Sequence, residues 1–108
     1  MKRYKLRRKE KKMSLKFSRE FKRIIDELTE GILKIESFYE LFEMSEEQWS
    51  GLNDTEQKEC ARTLADDIFF ALGMDPIVEV AQGSVQYVKE ENVIKVSSNN
   101  NILEIIQL

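Results

Sequence analysis

Apolar residues recur at three- and four-residue spacing through Phe21, Ile24, Ile25, Leu28, Ile32, Ile35, Tyr39 and Phe42. That period predicts a helix with one buried face. Ser18 is the expected N-cap, with Glu20 in the first turn, where a negative charge suits the helix dipole. Leu33, Phe38 and Leu41 lie off the stripe and widen it toward its end. A continuous helix over 18–43 would be about 39 Å long. A domain of this size has a radius of gyration of about 13 Å, so the helix either projects or breaks. Gly31, costly by about 1 kcal/mol in a helix interior, marks a hinge or a close crossing.

The next segment, Met44-Ser45-Glu46-Glu47-Gln48-Trp49, carries a capping box between Ser45 and Gln48. Met44 and Trp49 are placed as a hydrophobic staple. A short helix therefore runs from Ser45 to about Gly51. Asn53 and Asp54 offer the next cap, for a helix from about Asp54 to Leu72. Its buried face is Ala61, Leu64, Ala65, Ile68, Phe69 and Leu72, with Cys60 at the border. Gly73 is expected as a left-handed stop, and Pro76 follows.

After Pro76 the period becomes two. Runs at 77–80, 85–88 and 93–96 are rich in Val and Ile and are separated by turn residues. Gly83 is expected to supply the positive φ of a tight hairpin. Asn99-Asn100-Asn101 reads as a turn. The final run, 102–108, fits a strand, its isoleucines outweighing a short helical face capped by Asn101.

The predicted fold is α+β: two or three N-terminal helices packed on a small antiparallel C-terminal sheet of three or four strands. One domain spans 14–108, with a helical part at 14–73 and a β-meander at 76–108. Residues 1–13 form a basic extension expected to be disordered. The expected core is Phe21, Ile24, Leu28, Ile32, Ile35, Phe42, Trp49, Leu64, Ile68, Phe69, Leu72, Val80, Val85, Tyr87, Ile94 and Val96.

Composition narrows the chemistry. The 108 residues include no His and a single Cys. Ser/His/Asp and Cys/His nucleophile arrangements are thereby excluded, as are His-containing zinc sites and an internal disulfide. The four scattered glycines build no phosphate-binding loop. No apolar run is long enough to span a bilayer. The start lacks the apolar stretch of a signal peptide. A lone cysteine fits a reducing, cytoplasmic setting.

Charge is laid out unevenly. Residues 1–12 carry a net +7, and residues 13–108 a net −10. Between Glu36 and Asp67 there are ten carboxylates and two cations, Lys58 and Arg62. The expected function is a non-catalytic protein–protein interaction module, of inhibitor or immunity type, that sets an acidic helical surface against a basic partner. Glu36, Glu40, Glu43, Glu46, Glu47 and Trp49 are the candidate partner-binding residues.

A second reading makes the chain a nucleic-acid accessory protein. It would bind without sequence preference through Lys2, Arg3, Lys5, Arg7, Arg8, Lys9, Lys11 and Lys12. The same segment also reads as a self-docking tail, or as an extension ahead of a true start at Met13. A recognition helix in the folded body is a poor fit, because a helix beginning Asn53-Asp54-Thr55-Glu56 would bring carboxylates to phosphates.

A third reading, a Mg²⁺-dependent enzyme on helical carboxylates, rests on Glu27 and Glu30 at three-residue spacing. It lacks a second acidic motif on a partner helix. No cofactor is expected. A homodimer is one expected state, since Ile102–Leu108 has few charges to guard an edge strand.

Overall fold

The computed structural model describes residues 15–108. The N-terminal basic segment, with Met13, lies outside the described residues. The helices are α1 (Phe21–Leu33), α2 (Glu46–Ser50) and α3 (Asp54–Leu72), with a 3-10 helix at Phe38–Phe42. The strands are β1 (Ile77–Val80), β2 (Gly83–Val88), β3 (Val93–Ser98) and β4 (Asn101–Gln107). They pair as an antiparallel meander in sequence order. The α+β fold is thus three helices on a four-stranded sheet, and 102–107 is strand.

The helices cover one face of the sheet. Val78, Val85 and Val96 form one cross-strand row on that face, and Tyr87, Ile94 and Ile106 a second. All but Tyr87 are buried, against Ile24, Leu28, Ile32, Leu64 and Ile68 from α1 and α3. Leu15, Ile25, Phe38, Val78, Ile106 and Leu108 join the core beyond the residues expected there. Tyr87 and Trp49 are half-buried.

α1 departs from expectation at both ends. It starts at Phe21, with Glu20 rather than Ser18 at the cap and no side-chain capping bond. The segment before it is tied to the last strand instead. The Ser18 N–H donates to the Leu108 carbonyl, and Arg19 Nη1 donates to the Gln107 carbonyl at 2.9 Å. Phe21, expected in the core, is 43% exposed because it is the first residue of the helix. It packs with Phe17 and Phe69 in a partly exposed aromatic cluster with centroids 5.3–6.0 Å apart.

α1 ends at Leu33, and Ser37 turns the chain in a left-handed conformation, φ 63°. Ile35 is then buried from the bend after α1, and Phe38 and Phe42 from a separate 3-10 element. The apolar spacing survives because a 3-10 turn also repeats every three residues. Gly31 is a close crossing: a Cβ there would lie 3.0 Å from Val96 Cγ2 and 3.2 Å from Glu104 Cβ. Lys34 Nζ donates to Glu104 Oε1 at 2.7 Å, fixing the end of α1 over β4. On the opposite face of β4, Ile102 and Ile105 are 55% and 47% exposed.

Two glycines play roles other than those expected. Gly73 caps α3 with φ −70°, in the right-handed region. No glycine has positive φ; Ala81 takes that conformation in the β1–β2 turn, φ 53°. Gly83 is required for space: a Cβ there would sit 2.5 Å from the Ser97 carbonyl oxygen. Of the three asparagines expected to form a turn, Asn99 and Asn100 make the β3–β4 turn, at φ 53° and 66°, and Asn101 opens β4. Both central residues are left-handed, as a two-residue hairpin prefers.

Candidate protein-interaction face

The candidate acidic residues sit on one local unit, the 3-10 helix and α2. Glu36 precedes the 3-10 helix, Glu40 lies in it, and Glu43 closes it with φ 59°. Glu46 and Glu47 form the first turn of α2. All five are exposed. The unit is held by local and tertiary bonds together. Ser45 Oγ accepts from the Gln48 N–H at 3.1 Å, and Gln48 Oε1 accepts from the Ser45 N–H at 2.8 Å. Trp49 then stacks on Tyr39, centroids 5.1 Å apart, and meets Phe38 edge-on at 5.0 Å. Trp49 is therefore engaged inside the fold, and its ring pins α2 to the 3-10 helix.

From Ile35 to Gln57 the chain has seven carboxylates and no Lys or Arg. Glu36, Glu40, Glu46 and Glu47 make no ion pair with a cation among the described residues. The groove between α1 and α3, about 590 Å³, is the opposite case. Its α1 acids are matched: Asp26 by Arg62 and by Lys22 at 3.7 Å, and Glu30 by Lys58 at 3.2 Å. Glu27 accepts from both terminal nitrogens of Arg19, at 3.0 and 2.6 Å. The Glu27/Glu30 pair suggested for Mg²⁺ is thus turned to two separate cations. Among the described residues no group of three metal-ligating side chains converges.

The Arg19 hydrogen bonds hold the Glu27 carboxyl below its ordinary pKa, against an opposing effect of burial. A lowered folded-state pKa means stability that is present above the ordinary glutamate range and lost as pH falls through the lower, folded value. Urea titrations of the native chain and Glu27→Gln, at neutral pH and in acid, should therefore converge as the pH drops. A gap that persists in acid would show that the bond contributes no pH-dependent stability.

A second groove, about 470 Å³, lies where the 3-10 helix, the α2–α3 connection and α3 meet. Phe42, Met44, Leu52, Cys60 and Thr63 line it with Glu56 and Glu59. Burial pushes the Cys60 thiol pKa up, and Glu59 and Glu56 add to the rise. Lys58 and Arg62, each two residues from Cys60, are turned to Glu30 and Asp26 on α1. Sequence patterning placed Cys60 only at the edge of the buried face and gave Leu52 no role. The groove needs both, with Met44 brought across by tertiary packing.

Asn53 caps α3 beside this groove in a second capping box. Asn53 Oδ1 accepts from the Glu56 N–H at 2.8 Å, and Glu56 Oε1 accepts from the Asn53 N–H at 3.0 Å. No helix among the described residues is long and apolar enough to cross a membrane. The nucleic-acid arm, Lys2 to Lys12, lies outside the described residues. Compared with protein-family models, curated proteins and solved structures, the chain matches none of them.

Proposed function

We propose that this chain is a non-catalytic interaction module whose acidic unit, Glu36 to Glu47, meets a basic protein partner in a reducing, cytoplasmic setting. The observation that carries the reading is the contrast in charge compensation. Acids on α1 are matched by Arg19, Lys22, Lys58 and Arg62, whereas Glu36, Glu40, Glu46 and Glu47 have no cation among the described residues. Uncompensated like charges destabilise a compact state by self-repulsion, and a complementary partner relieves that cost while speeding encounter. The Ser45/Gln48 capping box and the aromatic trio make the unit rigid, so little ordering is required on binding.

The test is titration of the full chain with a lysine- and arginine-rich peptide, against a chain carrying Glu40→Lys, Glu46→Lys and Glu47→Lys. The reversals should weaken binding about a hundredfold at low salt, mainly through slower association. Circular dichroism controls for α2, where cations in the first turn oppose the helix dipole. Unchanged affinity in a folded triple variant would sink the proposal.

A further inference from the structure

Resting on that reading, we infer that the groove formed by Phe42, Met44, Leu52 and Cys60 receives an aliphatic side chain from the basic partner, flanked there by its Lys and Arg residues. The groove borders the acidic unit: Phe42 and Met44, which line it, flank Glu43 in the chain, and Glu56 and Glu59 line it as well. Phe42 is buried at its base, while Met44, Leu52 and Cys60 are half-buried and leave apolar surface facing the opening. Its volume, about 470 Å³, is within the range of pockets that enclose organic ligands. Met44 and Cys60 are soft and adaptable in contact. An apolar floor flanked by the carboxylates of Glu56 and Glu59 selects a partner that is apolar at one point and cationic beside it. A neutral apolar segment would leave Glu56 and Glu59 beside it without compensation, and a purely cationic one would leave the floor wet. The apolar anchor supplies affinity, and the surrounding charges supply encounter and partner choice.

Cys60 is the only cysteine in the chain, so its alkylation by iodoacetamide reads the groove directly in the full-length protein. The probe is a short lysine/arginine peptide with one central leucine, and the control carries alanine in its place. The leucine peptide should bind about ten- to a hundredfold more tightly than the control, from burial of one aliphatic side chain. At saturation it should slow Cys60 alkylation, because the thiol is covered.

Equal binding of both peptides, with alkylation unchanged or faster, would overturn the groove and leave the acidic unit standing. Cations that hover near the thiol without covering it lower its pKa and speed the reaction. If neither peptide binds, read by fluorescence anisotropy, both readings are overturned. A final arm uses the full chain with Lys2→Gln, Arg3→Gln, Lys5→Gln, Arg7→Gln and Arg8→Gln. If these changes alone accelerate alkylation in the absence of peptide, the occupant is the chain's own start. The inference of an incoming partner then fails.

Discussion

Gly83→Ala is expected to cost about 3 kcal/mol of folding stability, a large effect for a one-carbon change. The added Cβ would stand 2.5 Å from the Ser97 carbonyl oxygen. That oxygen belongs to the neighbouring strand, where Gly83 pairs with Ser98. Relief requires β2 and β3 to part. On its other side the Cβ would meet Ile35 Cγ1 and Cδ1 at 3.1 Å, so the strand cannot simply shift toward the helical layer. The adjoining turn has little slack, because Ala81 already holds a left-handed conformation without being glycine. Urea denaturation should show a lower midpoint with the same slope. Gly51→Ala is the control. Its Cβ would meet only the Glu47 and Gln48 carbonyls at ordinary contact, 3.4 and 3.5 Å, and the midpoint should barely move. A Gly83→Ala variant as stable as the Gly51→Ala variant would refute the explanation.

Phe38→Ala should be at least as damaging, about 3–5 kcal/mol. The ring is 2% exposed and is the largest fully buried side chain among the described residues. Against a total stability of about 5–15 kcal/mol for a typical domain, that loss leaves a protein near its unfolding threshold. The effect extends to the candidate interaction face. Phe38 supports Trp49 edge-on, and Trp49 in turn stacks on Tyr39. Without the ring, α2 loses one of Trp49's two ring contacts with the 3-10 helix, and the carboxylates of the two elements are held together less firmly. Trp49 is the single tryptophan, so its emission reports this site alone. It should shift to longer wavelength, and affinity for the basic peptide should fall even where the folded state is still populated. Phe38→Leu, which keeps most of the volume, should preserve both. Native-like emission and binding in Phe38→Ala would show that the acidic unit does not depend on this packing.

The acidic unit was visible in the sequence as a run of carboxylates, but its status was not. Arg62 and Asp26 are 36 residues apart and meet only because α1 and α3 pack side by side. That pairing removes Asp26 from the exposed charge and joins the pairs that take away Glu27 and Glu30. What remains uncompensated could not be separated from what is matched by reading along the chain. The groove beside Cys60 was hidden for the same reason, since its walls come from the 3-10 helix, the α2–α3 connection and α3.

What the sequence determined by itself is local. Both capping boxes are closed by bonds between residues three apart, so Ser45/Gln48 and Asn53/Glu56 carry their own geometry. The Asn99-Asn100 turn is likewise set by residues that tolerate positive φ, and the alternation of Val78, Val80, Val85, Ile94 and Val96 orients the sheet. Tertiary structure alone decided where α1 stops, because apolar spacing of three and four is satisfied equally by one long helix and by a helix followed by a 3-10 turn. Burying Ile35, Phe38 and Phe42 against the rest of the domain selects the second. It also decided what Gly31 and Gly83 are for: each stands where another element's atoms leave no room for a Cβ, and the identity of those atoms is written far away in the chain.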